Sequence, residues 1–361
     1  MSNFSNLIPA LFRKEVLAMS AYHVANASGL IKLDAMENPY TWPDDVRASW
    51  LETLKTCELN RYPDPEAKLL TQTIRQRNNI PPAFDVLLGN GSDELIQILL
   101  MALPPTARVM STQPSFVMYQ QISQSLGLSF INIPLLPGSF ELDLPTMLGA
   151  IADHQPAIIF LAYPNNPTGN LFSAEAINKI IAAANGLVVI DEAYAPFADA
   201  SYMGELARHE NLLVMRTVSK LGLAGLRLGY LVGAPAILEQ LNKIRLPYNI
   251  NILTQVTARF ALTHHALFDE QTQLICAERT RVYEHLCNMP GITAYPSAAN
   301  FILFKTPKDK ATDIFAAIRQ RGVLIKNLSP QGGLLIDCLR VTIGKPEENR
   351  AFIAALKSCL D

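Results

Sequence analysis

The chain has 361 residues, of which 49% are hydrophobic and 17% charged, and its formal net charge is −2. That length exceeds what one hydrophobic core ordinarily serves, so two units, or one large unit with an appendage, are expected. The near-neutral charge supplies no basic field for nucleic acid, and that class of partner is set aside.

Residues 1–20 mix short apolar clusters with Arg13, Lys14 and Glu15 and lack an unbroken apolar core leading to a small-residue cleavage site. No signal peptide is therefore expected, and no apolar stretch is long enough to cross a bilayer. Before about Leu54 only 31–33 reads as a strand. This segment is too small for a core of its own and is expected to pack with the C-terminal part.

From Val86 to Gly233 short β-branched runs alternate with longer helical patterns, the signature of a mainly parallel sheet covered on both faces. Strands are expected at 86–88, 108–111, 129–133, 157–162, 187–190, 212–216 and 227–232, with helices opening near Ser92, Phe116, Ser173 and Pro235. The fold class is thus α/β, with a large doubly wound domain over 54–253. After Leu253 one helical pattern runs to about Met289. Strands at 300–304, 323–326 and 339–342 then alternate with helices at 311–321 and 347–359. This is a smaller α+β unit, residues 254–361, completed by the arm 1–53. No internal repeat or low-complexity segment interrupts the chain.

Five cysteines, Cys57, Cys276, Cys287, Cys338 and Cys359, form no C-x-x-C pair, which fits reduced thiols in the cytoplasm better than a disulfide framework or zinc site. The six histidines show no metal-ligand spacing, and no metal is expected.

The chemistry-bearing residues concentrate at expected strand ends, where an open α/β sheet presents ligands. Lys220, in Thr217-Val218-Ser219-Lys220, follows the strand 212–216. A partly desolvated lysine beside other cations is readily deprotonated, and the neutral amine attacks an aldehyde. Arg227 follows across a turn containing Gly222 and Gly225, and its planar fork suits a phosphate dianion, to which Ser219 can add a hydroxyl. Gly89-Asn90-Gly91-Ser92-Asp93 precedes a helix expected over 94–101, whose N-terminal N–H groups would face the same anion. The same turn also reads as ordinary capping with Ser92 as the N-cap.

Asp191 ends the strand 187–190, where a carboxylate can pair with a pyridine nitrogen and keep the ring protonated as an electron sink. Tyr194 and Asn166, the latter in Asn165-Asn166-Pro167-Thr168-Gly169, can hydrogen-bond a phenolic oxygen, and Phe116 can stack on the ring. Against each stands a plainer role: a helix cap for Asp191, core packing for Tyr194 and Phe116, turn chemistry for Asn166. Arg340, on the strand 339–342, is the candidate for a bidentate contact to a substrate anion, or else a surface ion pair. Together these residues are what a pyridoxal phosphate site needs.

Over nearly the whole chain these motifs, in this order, resemble the fold type I pyridoxal phosphate aminotransferases. The narrower likeness is to the histidinol-phosphate aminotransferases. It rests on Lys32-Leu33-Asp34-Ala35-Met36-Glu37-Asn38-Pro39-Tyr40, Asn60-Arg61-Tyr62-Pro63-Asp64-Pro65, the Gly89–Glu94 turn and Cys338-Leu339-Arg340-Val341-Thr342-Ile343-Gly344.

The resemblance implies Lys220 as the Schiff-base lysine and proton shuttle, and Asp191 and Tyr194 beside it in catalysis. It implies cofactor contacts from Ser92, Asp93, Phe116, Asn166, Asp191, Tyr194, Ser219 and Arg227. Tyr62 would reach the phosphate of the neighbouring subunit, which implies a homodimer. Arg340 and Tyr22 would hold the substrate anion, with Asn166 and Lys326 nearby. Three positions depart from the family pattern: Lys326 stands where a second arginine is frequent, Phe116 where tyrosine is frequent, and the loop from Lys220 to Arg227 is one residue shorter.

The activity implied is transamination between L-histidinol phosphate with 2-oxoglutarate and imidazole acetol phosphate with L-glutamate, a step of histidine biosynthesis. The alternatives are an aromatic amino acid aminotransferase and a lyase resembling threonine-phosphate decarboxylase on the same scaffold. A noncatalytic regulatory domain is disfavoured by the presence of Lys220. A dinucleotide-binding oxidoreductase is disfavoured by the lack of a G-x-G-x-x-G after the first strand.

Overall fold

The computed structural model describes residues 4–21 and 24–360. Thirteen strands among these residues are β1 (Ile31–Lys32), β2 (Asp85–Gly89), β3 (Arg108–Gln113), β4 (Ser129–Pro134), β5 (Ile158–Ala162), β6 (Leu187–Asp191), β7 (Leu212–Thr217), β8 (Gly229–Gly233), β9 (Thr293–Ala294), β10 (Phe301–Lys305), β11 (Val323–Leu324), β12 (Lys326–Asn327) and β13 (Cys338–Thr342). Seven form one sheet in the order β2-β8-β7-β6-β5-β3-β4. All neighbours are parallel except β8, which runs antiparallel to both β2 and β7.

The central strands are apolar on both faces because helices cover both. In β5 every residue is buried, and alternate residues enter different cores: Ile159 and Leu161 join one cluster, Ile158 and Phe160 the other. Chain direction across the sheet reverses between β3 and β5, and in doubly wound sheets the ligand crevice lies beyond the strand ends at that reversal. Phe116 and Asn166 lie just after those two ends.

A second core is built on an antiparallel sheet, β12-β13-β10-β9, with β1 paired to β11 in parallel. Ile31 stands opposite Val323 and Lys32 opposite Leu324, and Leu33, Met36 and Tyr40 pack into the same second core. Farther along, the segment packs elsewhere. Helix Asp44–Leu54 packs on helix Ile252–Thr263, and Trp42 stacks on Phe260 with 5.8 Å between ring centroids.

Several element boundaries differ from the sequence expectation. The strand expected at 227–232 starts at Gly229, because Arg227 takes φ +47° and its N–H bonds the Ala224 carbonyl. The helical pattern from 253 to 289 is two helices, Ile252–Thr263 and His265–Cys287, broken at His264. The strand expected at 323–326 splits at Ile325 into β11 and β12, which belong to different sheets. Helix Leu144–His154 was not expected, although Asp143 caps it by accepting from the Thr146 N–H and Pro145 lies in its first turn.

Candidate active site

A cavity of about 110 Å³ opens beyond the carboxyl ends of β3, β5, β6 and β7. Its wall includes Ser92, Asp93, Phe116, Asn166, Asp191, Tyr194, Ser219, Lys220 and Arg227, so nine sequence-predicted residues meet in one place. Larger clefts lie elsewhere, but none of them contains Lys220, Asn166 or Asp191.

One end of the cavity is cationic. Helix Gly91–Met101 begins three residues earlier than expected, so Ser92 and Asp93 occupy its first turn and Asn90 is the N-cap. Glu94 reaches back to accept from the Asn90 N–H at 2.6 Å and is itself held by Asn249 Nδ2 at 2.9 Å. The cap is therefore made by Glu94 and not by Ser92, which leaves the Ser92 hydroxyl for other work. Arg227 closes this end and donates to Asp93 Oδ2 at 3.1 Å. Gly91, at φ +78°, lies so close that an added Cβ would stand 2.6 Å from Arg227 Nη2. Gly229 on β8 lies against the same turn, where a Cβ would stand 2.6 Å from the Gly91 carbonyl carbon. Ser219, buried, donates its N–H to Thr217 Oγ1 at 3.1 Å.

The other end is acidic. Asp191, 3% exposed, accepts from the Tyr119 hydroxyl at 2.6 Å on Oδ2 and from the Ala193 N–H at 3.1 Å on Oδ1. Burial pushes its carboxyl up to about 6, against the lowering effect of those two donors. Asn166 Nδ2 donates to the Tyr194 hydroxyl at 3.1 Å, and both residues are buried.

Between the ends, a 3-10 turn over Ser219–Leu221 aims Lys220 inward. Its Nζ stands 5.7 Å from the Tyr194 ring centroid and donates to the Ala35 carbonyl at 3.3 Å. Burial, then the nearby Arg340 and Arg227, lower its ammonium to about 8. Phe116, half-buried, lines the cavity and meets Tyr119 edge-on at 5.5 Å.

Arg340 is buried on β13, donates Nη1 to Asn166 Oδ1 and Nη2 to the Asp34 carbonyl, and lies over the Phe301 ring at 5.2 Å. The expectation of a surface ion pair is excluded by this burial. Lys326 is the register partner of Arg340 in β12, so the two side chains share a sheet face. Tyr62 does not line this cavity; it is 80% exposed and stacks on Tyr248 at 4.5 Å. Tyr22 lies outside the described residues.

The sequence reading missed Tyr119, Met36 and the carbonyls of Asp34 and Ala35. Tyr119 lies three residues after Phe116, a helical spacing that puts both rings on one face, so a signal was present. Met36 lines the cavity at φ +55°, with its N–H bonded to Thr342 Oγ1 and its carbonyl to Asn300 Nδ2.

This donor set fits pyridoxal phosphate. Arg227 and a helix N-terminus suit the phosphate, a buried carboxylate suits the ring nitrogen, and a depressed lysine suits the aldehyde. Among the described residues no cluster of His, Cys, Asp or Glu suits a metal ion, and no helix is long and apolar enough to cross a membrane.

Comparison with known proteins supports the same chemistry. The family model described as aminotransferase class I and II matches residues 28–356. The chain is 55% identical over 347 residues to histidinol-phosphate aminotransferase 2 of Nitrosococcus oceani, covering 96% of each chain. It is 51% identical to histidinol-phosphate aminotransferase 2 of Cupriavidus pinatubonensis, with 98% of each covered. The fold superimposes on histidinol-phosphate aminotransferase from Sinorhizobium meliloti in complex with pyridoxal-5'-phosphate. That match has a TM-score of 0.84 and 23% identity, and covers 97% of this chain and 98% of that one.

Proposed function

The chain belongs to the class I and II aminotransferases, and on that premise we propose that it interconverts L-histidinol phosphate with 2-oxoglutarate and imidazole acetol phosphate with L-glutamate. The substrate follows the relatives' names. The observation that carries the chemistry is the convergence of Lys220, Asp191 and Asn166, with Arg340 bonded to Asn166, at one cavity.

Pyridoxal 5'-phosphate, when bound, supplies the electron sink that makes the substrate Cα–H acidic. The rest falls to the chain. Arg227, Ser219 and the first turn at Ser92 and Asp93 anchor the cofactor phosphate, and Phe116 fixes the ring plane. Asp191 faces the ring nitrogen, and Tyr194 and Asn166 face the phenolic oxygen. Lys220 Nζ would hold the cofactor aldehyde and, when free of it, would take the proton from Cα of the amino donor in one half-reaction and give a proton to Cα of the new amino acid in the other; a pKa near 8 suits both directions. Arg340 binds the substrate anion, with Lys326 across the strand pair and Tyr22 assigned to the same group on resemblance alone. In this reading residues 54–253 carry the cofactor, and 254–361 with the arm 1–53 carry the substrate anion.

The enzyme works as a homodimer in the cytoplasm. Tyr62, with Leu59 and Leu246 similarly exposed, supplies an apolar surface suited to a second copy, and the five cysteines are all free.

An absorbance scan of cofactor-loaded protein tests the reading. L-histidinol phosphate alone should bleach the band of the lysine-bound cofactor, and 2-oxoglutarate should restore it. Bleaching by phenylalanine but not by L-histidinol phosphate selects the aromatic aminotransferase. Release of carbon dioxide without a keto product selects the lyase.

A further inference from the structure

Asp191 sits among groups that oppose its charge. Asp93 from helix Gly91–Met101 and the adjoining Glu192 are both acidic, Tyr194 lies in the same wall, and the carboxyl is buried. Lys220 and Arg227 line the cavity beyond. Within the core, the Tyr119 hydroxyl counters this at 2.6 Å from Oδ2.

Tyr119 is well placed to remain a donor. It is 0% exposed, and burial followed by the Asp191 charge pushes its phenol well above the ordinary range, so the proton stays on the phenol. Its ring is clamped, stacked on Phe160 at 4.7 Å and 7° and edge-on to Phe116 at 5.5 Å. With Oδ1 held by the Ala193 N–H, rotation of the carboxylate would break two hydrogen bonds at once.

We propose that Tyr119 is a positioning residue that holds the Asp191 carboxylate as a fixed, charged acceptor for the cofactor ring nitrogen, a role that rests on the cofactor reading above. Tyr119 also spans from the acidic end of the cavity to the wall at Phe116. One helix therefore sets both the orientation of the carboxylate and the plane against which the ring lies.

The test is the pH dependence of cofactor retention, followed by absorbance and by dialysis, in wild type, Tyr119→Phe, Asp191→Asn and the double variant. Loss of a hydrogen bond to a charged group should weaken retention by Tyr119→Phe about tenfold at neutral pH and move its acid midpoint up by about one unit. In the Asp191→Asn background the same change should have no further effect on the midpoint. Site-specific 3-fluorotyrosine at position 119, a stronger donor of nearly the same volume, should move the midpoint down, and it decides the matter if Tyr119→Phe does not fold.

An unmoved midpoint in Tyr119→Phe, an equal loss in the Asp191→Asn background, or no downward shift with fluorotyrosine would overturn the role. Failure of the wild type to hold the cofactor at all would overturn the underlying reading instead.

Discussion

Lys220, in the turn that follows β7, and Arg340, on β13, donate to consecutive carbonyls of one N-terminal segment, Ala35 at 3.3 Å and Asp34 at 3.0 Å. The proposed proton carrier and the proposed anion-binding group are thus referenced to the same piece of backbone. Lys220 is uncharged in a growing fraction of molecules as pH rises through about 8. Capture of pyridoxal phosphate by the cofactor-free protein should accelerate with pH and level off above that value. Stopped-flow absorbance measures this, and Lys220→Ala should show no such phase.

Asp191→Asn should stabilise the cofactor-free protein at pH 8. The folded-state carboxyl is raised from 3.8 to about 6, so the folded chain binds more protons than the unfolded chain between those values and loses stability as pH rises through them. The cost is full above about 6 and absent below about 4. Removing it should add roughly 2–3 kcal/mol at pH 8 and nothing at pH 3.5, visible as a pH-dependent difference in melting temperature, while transamination falls by orders of magnitude.

Gly91→Ala should damage the cationic end without touching the acidic end. The new Cβ meets Arg227 Nη2 at 2.6 Å, and φ +78° strains any side chain. The expected outcome is a loss of about 1–2 kcal/mol of stability and weaker cofactor retention, with the acid midpoint of retention unchanged. Urea unfolding and dialysis read the two effects separately.

Glu192, buried, forms an ion pair at 2.7 Å with the partly buried Arg216, extended by Ser201 to Glu192 and by Asn78 to Arg216 and Tyr230. Arg216→Met leaves Glu192 charged and buried. It should cost about 3–5 kcal/mol, measured in urea, and more than any exposed ion pair such as Lys55–Glu52, worth under about 1 kcal/mol.

Tyr62 is 80% exposed. If the proposed homodimer forms with Tyr62 reaching the neighbouring site, mixtures of Tyr62→Ala and Lys220→Ala proteins, each nearly inactive alone, should regain activity on subunit exchange, because a mixed dimer carries one site with neither change. An assay of the mixture after exchange checks this, and no recovery would place Tyr62 outside the site.

The doubly wound fold was legible because β5, β6 and β7 are short apolar runs, β6 and β7 ending in the polar Asp191 and Thr217, and they separate cleanly from the helical patterns between them. The site was legible because chemistry clusters at those ends. Tyr119 was not, since a tyrosine within a helix reads as core until its hydroxyl is seen to point at a carboxylate. The split at Ile325 was also hidden: one apolar run serves two sheets, and only the partners β1 and β13 divide it. Ser92 passed for a cap because propensity favours it, whereas the longer reach of Glu94 makes the bond.

The strand β8 has a consequence for biosynthesis. It lies between β2 and β7, and its Gly229 rests on the turn at Gly91, so residues about 140 positions apart form the cationic end of the cavity. A nascent chain that has emerged only as far as β7 presents β2 as a lone strand with open edges and has no Arg227 to offer. Until the ribosome has released β8, those edges are open to neighbouring chains, and affinity for the cofactor arises only when the last strand of the large sheet docks.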